Sequence, residues 1–493
     1  MSNPRLRLIL RLIIPLLSGS TLALFALGLV QAAPRPSSTT KSLSTNYTLV
    51  NLGSQAANVS VSYLKTDGTT WAASAGNTVF TMTANGGQKI IAQYFDSQMT
   101  SGQGSAIVSS DQPLAAVVQI LARNQTPTSG AYSGFTAGSN TFYVPLVARL
   151  GNNSTNSQIM IQNTSNAVVT ATVQLLPGSG FSGSYTKNIP NLAIGATYYY
   201  DLADETNLIS TPWFGSAVVS ASGGGTLAVT SNLFSGPDTL QTYNGFPSTG
   251  VSTTWFAPLF TSRLANGLST PLTFQNLSGG TMAIGSATLN CTKDPVSPSP
   301  STLTITNTTS VPNNTSYFFN PVVDTTNFPT GWFGSCVLTT TGNSVAFAQM
   351  RVVGGGNADA YQMLRGSGTD KKGLVPLVAK RLANGFATAV TVQNLSNSVT
   401  ANVVMTYTPS SDYILGGGSA TVLTTSTTIA PQASLVLNQR LASFMVGSTP
   451  MPDGWYGTFS VSSSQAVGGF VQLTNINNVA GDTLMAHNIF TQP

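Results

Sequence analysis

The chain has 493 residues, of which 41% are hydrophobic and only 7% are charged. This length is enough for about three or four domains with packed cores, but the charged fraction lies far below the roughly 25% of an average soluble domain. So few ionisable groups argue against an enzyme, and the composition is typical of secreted β proteins whose polar surface is built from Ser, Thr, Asn, Gln and Gly.

Residues 1–32 have the pattern of a secretory signal peptide. Arg5, Arg7 and Arg11 precede a largely apolar run, and Val30-Gln31-Ala32 fits a small-residue cleavage site. An uncleaved N-terminal anchor is the alternative. Cleavage removes three of the 19 basic residues against 14 acidic ones, so the formal charge falls from +5 to +2. We therefore expect a secreted or cell-surface protein and no nucleic-acid partner.

A motif of apolar residue, Pro-Leu, basic residue, Gly/Asn turn and alternating strand occurs three times, and each copy ends at an Asn. The copies occupy residues 143–165, 256–278 and 374–396, ending near Asn163, Asn276 and Asn394. Near the mature N-terminus only the second half occurs, at Asn46–Ser54. Such recurrence indicates repeats of whole-domain size rather than solenoid units.

Each repeat continues with short alternating strands separated by turns, and none contains a long helix-period segment. A Trp-aromatic-Gly motif follows in repeats two to four, at Trp213, Trp332 and Trp455, and an Asp-led tail closes each of these repeats. The pattern predicts an all-β chain of four tandem antiparallel β-sandwich domains, immunoglobulin-like in architecture. The expected boundaries are 33–140, 141–252, 253–372 and 373–493.

Two phrases carry a resemblance to known proteins: Pro145-Leu146-Val147-Ala148-Arg149, and the segment from Gly104 to Val118. They are similar to phrases in tandem β-sandwich repeat proteins of bacterial cell surfaces, an uncharacterised secreted family. The resemblance implies a structural or adhesive surface role and implies no catalytic residue.

The Trp-aromatic-Gly motifs have two interpretations. Exposed Trp213, Trp332 and Trp455 would offer flat platforms on which sugar rings stack. Alternatively, each Trp fills one end of its sandwich, and the Gly allows close approach of the backbone. Recurrence at one structural position favours packing.

Cys291 and Cys336 are the only cysteines, lie in the same repeat and follow an export signal, so we predict a disulfide between them. Two buried thiols are the alternative.

Other candidate chemistry is sparse. His487 is the only histidine, and no nucleophile motif accompanies it. Asp201, Asp204 and Glu205 form the densest acidic cluster, for which capping and surface roles are favoured over glycoside hydrolysis or Ca²⁺ binding. We predict no catalytic residue, no metal site and no cofactor.

The Asn-x-Ser/Thr sites at Asn163, Asn276 and Asn394 fit either N-glycan acceptors or Asx turns at a strand end. Repeat 1 lacks the Pro-Leu half of the motif, and Pro34-Arg35-Pro36 and the Ser/Thr residues after it have no apolar face. We therefore expect a missing or weakened first strand in repeat 1, an open sheet edge there, and self-assembly through this edge as one outcome.

These patterns favour an exported, non-enzymatic structural or adhesion protein that presents loops on stacked β-sandwiches. Its expected partners are a cell-surface polysaccharide or other surface proteins. The alternatives are an array of carbohydrate-binding modules using the Trp motifs and, less favoured, a secreted hydrolase.

Overall fold

The computed structural model describes residues 43–492, apart from residues 85, 123–125, 209–210, 296, 367 and 478–479. The proposed signal peptide, residues 1–32, lies outside the described residues. The regular secondary structure of the described chain is almost entirely β-strand, and none of its helices is long and apolar enough to span a membrane. Its helices are α1 (Ala75–Thr78), α2 (Ser411–Leu415) and the 3-10 helices Gln93–Phe95, Asn152–Ser154, Leu202–Asp204 and Ser248–Gly250.

The strands of the first two repeats follow the predicted alternation of short strands and turns. Repeat 1 contains β1 (Leu43–Asn51), β2 (Ala57–Lys65), β3 (Val79–Met82), β4 (Gln88–Ala92), β5 (Gly104–Ser110), β6 (Leu114–Ala122) and β7 (Ser129–Ser133). Repeat 2 contains β8 (Thr141–Arg149), β9 (Asn156–Asn163), β10 (Val169–Pro177), β11 (Tyr185–Leu192), β12 (Thr197–Asp201), β13 (Trp213–Ala221), β14 (Leu227–Ser235), β15 (Thr239–Asn244) and β16 (Phe246–Pro247).

The last two repeats are again built mainly of short strands. Repeat 3 contains β17 (Ser252–Thr261), β18 (Leu268–Ser269), β19 (Leu272–Asn276), β20 (Ala287–Lys293), β21 (Thr302–Thr306), β22 (Ser316–Phe319), β23 (Phe333–Val352), β24 (Ala358–Gln362) and β25 (Leu364–Arg365). Repeat 4 contains β26 (Lys372–Ala379), β27 (Phe386–Asn394), β28 (Ala401–Pro409), β29 (Leu423–Ile429), β30 (Ser434–Leu437), β31 (Met445–Val446), β32 (Thr449–Pro450), β33 (Tyr456–Ser463), β34 (Val467–Asn475), β35 (Met485–Asn488) and β36 (Phe490–Gln492).

Each repeat is built from antiparallel sheets, which confirms the predicted fold class. In repeat 2 one sheet has the order β11-β10-β13-β8-β16 and the other has the order β12-β9-β14-β15. Repeat 4 repeats this arrangement, and in repeat 3 the 20-residue strand β23 runs through both halves. Buried and exposed side chains alternate along β2, β10 and β28, because one face of each sheet packs on the core while the other meets solvent.

The Asn that ends each motif holds the corner where one sheet passes to the next. Asn51, Asn163, Asn276 and Asn394 are at most 1% exposed. In each, Oδ1 accepts the N–H two residues later, and Nδ2 donates to carbonyl oxygens across the corner. This is an Asx turn, and it occupies the amide nitrogen that a glycan at Asn163, Asn276 or Asn394 would need.

Repeat 1 differs from the others in its smaller sheet. Among the described residues that sheet has only the order β3-β2-β5, whereas its counterparts in repeats 2 and 4 have two further strands beside β13 and β33. The strand pairs that have no counterpart in the described part of repeat 1 are β8 with β16 and β26 with β36. The residues predicted to lack a proper first strand, 34–42, lie outside the described residues, so that part stays a prediction.

The predicted disulfide joins Cys291 and Cys336, which lie opposite each other on β20 and β23 inside the core of repeat 3. The bond closes a loop between residues 45 apart. We expect the double variant Cys291→Ala, Cys336→Ala to lose roughly 4 kcal/mol of unfolding free energy, because cross-linking a loop of this length restricts the unfolded chain. Urea unfolding of wild type and variant would measure the loss, and equal midpoints would contradict the expectation.

The four repeats close into a ring instead of following one another in a stack. The strands β7, β15, β24 and β35, one from each repeat, contact one another in that order, and β35 returns to β7. In the same ring, β8 of repeat 2 contacts β19 of repeat 3, β17 contacts β27, and β26 of repeat 4 contacts β1 of repeat 1. The chain therefore forms one body around a central axis with approximate fourfold symmetry.

Candidate functional site at the ring axis

The axis is formed by sheet edges. β7, β15 and β35 are the last strands of their sheets, and β24 holds the same place beside β23. An edge strand presents backbone N–H and C=O groups that its own sheet does not pair. Because four such edges converge in the interior, these groups need partners within the ring.

Asp359 supplies acceptors to all four repeats at once. Its Oδ1 accepts the N–H groups of Thr242 (3.0 Å) and Ala360 (2.8 Å), and its Oδ2 accepts those of Ala131 (3.2 Å) and Ala486 (2.5 Å). The four donors belong to β15, β24, β7 and β35, and the Asp359 side chain is fully buried. One carboxyl group therefore joins the four edges.

Asp482 also accepts backbone N–H groups from several repeats, one layer away along the axis. Its carboxyl accepts the N–H groups of Leu240 (2.9 Å), Ala358 (3.1 Å) and Leu484 (3.1 Å), from repeats 2, 3 and 4. Repeat 1 joins this layer through Ser129, whose hydroxyl donates to the Asp482 carbonyl oxygen at 3.1 Å. Both layers thus connect every repeat to the axis.

The two axial carboxyl groups are fully buried. Burial raises the pKa of Asp359 well above its ordinary 3.8, although its four N–H donors oppose the rise. Burial raises the pKa of Asp482 as well, and the charge of Asp359 adds to that rise. The N–H donors therefore offset only part of the cost of placing two acidic groups at the axis.

Stacked aromatic side chains join repeat 2 to repeat 3 and repeat 3 to repeat 4 near the axis. Tyr243 of repeat 2 stacks on Phe347 of repeat 3 at 4.4 Å between ring centroids, and Tyr361 stacks on Phe470 of repeat 4 at 4.2 Å. By register, Tyr132 and His487 hold the same position in repeats 1 and 4. His487 is therefore a member of a packing ring, and its Nδ1 lies 3.0 Å from the carbonyl oxygen of Asn488.

Side-chain amides continue the link one residue further along. Asn244 Nδ2 donates to the carbonyl oxygen of Ser133 (2.7 Å), Gln362 Nε2 to that of Asn244 (3.0 Å), and Asn488 Nδ2 to that of Gln362 (2.7 Å). Each bond crosses from one repeat to the preceding one. Backbone carbonyl groups at this end of the axis are thus satisfied by the neighbouring repeat.

Burial of His487 makes the ring sensitive to acid. The side chain is 8% exposed, and burial lowers its pKa from 6.5 to about 4. Because the unfolded chain binds the proton more tightly, the stability that neutral His487 contributes is present above pH 6.5 and is lost as the pH falls towards 4. The full loss is roughly 3 kcal/mol.

We expect His487→Tyr, which restores the residue found at this position in repeats 1 to 3, to remove this part of the acid sensitivity. Urea unfolding at pH 7.5 and pH 4.5 would measure the difference for each protein. Both proteins keep Asp359 and Asp482, so the comparison isolates the imidazole. An equal loss of stability on acidification in both proteins would contradict this assignment.

The three tryptophans of the Trp-aromatic-Gly motifs are core residues. Trp213 and Trp332 are fully buried and Trp455 is 2% exposed. Trp213 Nε1 donates to Gly183 (3.0 Å) and Trp332 Nε1 to Pro300 (2.9 Å), both backbone carbonyls. A sugar-stacking platform must be exposed to solvent. These three side chains are buried, so they pack in the ends of their sandwiches and offer no surface to a sugar ring.

The glycine of the motif is required by close approach of the next strand. A Cβ atom on Gly215, Gly334 or Gly457 would clash with a backbone carbonyl oxygen of the neighbouring strand, and the same holds for Gly104 of repeat 1. This agrees with the packing interpretation.

The residue after this glycine contacts the next repeat, and no sequence pattern indicated this contact. The hydroxyls of Ser105, Ser216 and Ser335 donate to backbone carbonyls of Gly195 (3.4 Å), Asn314 (2.6 Å) and Gln432 (2.9 Å). Each acceptor belongs to the next repeat. The motif therefore serves both the core of its own sandwich and the contact with its neighbour.

The acidic cluster near Asp201 also has a structural arrangement. Asp201 caps the 3-10 helix Leu202–Asp204 by accepting the N–H of Ala203 at 3.0 Å. Glu205 is buried and accepts the hydroxyl of Tyr200 (2.8 Å) and the N–H of Asn207 (3.0 Å). In the described part of the chain, no three His, Cys, Asp or Glu side chains are grouped so as to hold a metal ion.

No protein-family model matches this chain, and no curated protein shows significant sequence similarity to it.

Proposed function

We propose that this chain is an exported, non-enzymatic structural or adhesion protein that presents loops on a closed ring of β-sandwiches. The observation that carries the proposal is the use of the conspicuous polar and aromatic motifs in packing and in closing the ring. The recurring Asn and Gly residues stabilise all four sandwiches and the Trp residues three of them, while Asp359 and Asp482 join the repeats. Such a body is a rigid support for the loops outside it.

Export is supported by the disulfide and by the sequence of residues 1–32. Disulfides persist in oxidising compartments, and Cys291–Cys336 lies within the core of repeat 3. Expression of the full chain in a secretion-competent bacterial host tests this point. We expect the protein outside the cytoplasm, with the mass of a chain that begins at Ala33 and no free thiol. An unprocessed cytoplasmic chain would contradict export.

A cell-surface polysaccharide or another surface protein is the proposed partner. Repeat 1 carries two exposed aromatic side chains in edge-to-face contact, Tyr94 (46% exposed) and Phe95 (71% exposed), with ring centroids 5.1 Å apart. Exposed aromatic rings suit contact with sugar rings, because they combine an apolar face with little loss of conformational entropy.

A glycan array probed with the full chain tests the polysaccharide as partner. We expect binding that Phe95→Ala weakens at least tenfold, while Val323→Ala, an exposed apolar residue of repeat 3, leaves it unchanged. Absence of binding to any glycan would remove the polysaccharide and leave surface proteins as the proposed partner. Equal loss in both variants would show that the binding does not use the aromatic pair.

A further inference from the structure

Repeat 1 has an open strand position in its smaller sheet. In the other repeats the first strand, β8, β17 or β26, pairs antiparallel with β13, β23 or β33. In repeat 1 the corresponding strand is β5, and among the described residues it pairs only with β2. In the described part of the chain, the side of β5 away from β2 is therefore an unpaired edge at the place where three repeats hold a strand.

Side-chain exposure shows that the position is uncovered. Ala106 of β5 is exposed, whereas the residues at its register position are buried: Ala217 (0%), Cys336 (1%) and Phe459 (0%). In each repeat this residue points to the sandwich interior. A core position is thus open to solvent in repeat 1.

The same position would lie at the interface between repeats 1 and 2, because the first strand of each other repeat contacts the next repeat around the ring. Two of these contacts are hydrogen bonds to the Pro carbonyl of the first strand: Ser316 Oγ to Pro145, and Gln88 Nε2 to Pro376, both at 2.6 Å. The equivalent residue facing repeat 1 is Thr197. Its hydroxyl is buried without a hydrogen-bond partner.

The hydroxyl of Ser434, which faces the first strand of repeat 3, is likewise buried without a hydrogen-bond partner. The stronger indication is therefore the combination of the free β5 edge, the exposed Ala106 and the unpartnered Thr197 hydroxyl. All three surround one strand position that is vacant among the described residues.

The sequence before β1 is chemically unsuited to this position. In repeat 2 the strand continues beyond Pro145 with buried apolar side chains, Leu146 (4% exposed) and Val147 (0%). Counting back from Asn51 by the distance that separates Pro145 from Asn163 reaches Ala33, and Pro34-Arg35-Pro36 and the Ser/Thr residues after it follow. They lack alternating apolar residues, and the prolines lack N–H donors for pairing. A second copy of the chain has the same leader.

We propose that the free edge of β5 accepts an extended strand from a different polypeptide, one with apolar residues at alternate positions. The strand would pair antiparallel with β5, cover Ala106, and offer a carbonyl oxygen to Thr197. This is binding by β-strand addition, in which backbone hydrogen bonds give affinity and alternate side chains give specificity.

A synthetic peptide with the sequence of residues 372–380, KGLVPLVAK, is a suitable probe because it copies the first strand of repeat 4. We expect the fluorescently labelled peptide to bind the full chain with one-to-one stoichiometry and to raise its melting temperature. A scrambled peptide in which the apolar residues are grouped should not bind. Fluorescence anisotropy would give both affinities.

The variant Ala106→Arg places a charge in the vacancy and should weaken binding at least tenfold. Val79→Arg is the matched control, because Val79 is exposed on β3 at the opposite edge of the same sheet. Ala106→Asp, with the opposite charge, serves as a second variant if Ala106→Arg does not fold. Melting curves would show that each variant is folded.

Failure of the peptide to bind would overturn the proposal, as would equal affinity for wild type and both Ala106 variants. Light scattering supplies a further test. A dimer that forms through the β5 edge, and that the peptide does not dissociate, would assign the vacancy to a second copy instead of a different polypeptide.

Discussion

Replacing Asp359 by Ala is expected to lower the free energy of unfolding by about 4 kcal/mol or more. The change removes the acceptor of four backbone N–H groups, one from each repeat. A buried donor left without a partner costs about 1–3 kcal/mol, and relief from burying a carboxyl group offsets only part of the sum. Urea unfolding followed by intrinsic fluorescence would measure the change.

Two further variants test whether the loss of stability comes from the accepting oxygens of Asp359. Asp359→Asn keeps one accepting oxygen but turns an NH₂ group towards two N–H donors, so it should also destabilise the chain. Asp412→Asn, at an exposed position in the first turn of α2, is the matched control and should stay within about 0.5 kcal/mol of wild type. Wild-type stability in Asp359→Ala would show that the axis is not held by this carboxyl group.

Replacing Trp332 by Ala should cost about 3–5 kcal/mol, the usual range for deleting a large buried aromatic side chain. The indole is fully buried, packs against Phe260 with ring centroids 6.0 Å apart, and donates to the Pro300 carbonyl. The variant therefore leaves both a cavity and an unpaired acceptor in repeat 3. Thermal and urea unfolding would measure the cost.

Phe95→Ala is the control for Trp332→Ala, because Phe95 is aromatic but 71% exposed. The free energy of unfolding of Phe95→Ala should stay close to that of wild type. A glycan array run with both variants separates packing from ligand contact. A Trp332→Ala protein that melts like wild type and loses sugar binding would contradict the core assignment.

The sandwich fold could be predicted from the sequence because its determinants are local. Alternating strands, turn residues and a motif ending in Asn recur at similar spacing in each repeat, and each signal lies within one repeat. The disulfide could be predicted because Cys291 and Cys336 are the only cysteines and lie in one repeat, and the structure places them opposite each other on neighbouring strands. The Gly of the Trp-aromatic-Gly motif could likewise be assigned to close backbone approach.

The ring could not be predicted, because its determinants act between repeats and differ among them. The Asp-led tails of repeats 2 to 4 look equivalent in sequence, but strand pairing aligns Asp359 with Gln241 and Met485, not with Asp238 or Asp482. One carboxyl at one layer serves all four strands, so the other repeats need none there. A residue that is needed in only one repeat produces no recurring sequence motif.

The buried tryptophans illustrate the same limit within a single repeat. Recurrence favoured packing over sugar stacking, but exposure decides between them, and exposure depends on how the sheets close over the motif. The serines that follow the motif gave no signal at all, because a small hydroxyl residue beside Gly is common in turns and strand starts.

Small-angle X-ray scattering distinguishes four β-sandwiches closed around a shared axis from the same sandwiches arranged in a line. A closed ring predicts a radius of gyration of about 25 Å, slightly above the roughly 23 Å of a compact chain of this length. Four sandwiches joined end to end would give about twice that value and an elongated distance distribution. A compact profile with a single maximum is the expected result, and an elongated one would contradict the ring.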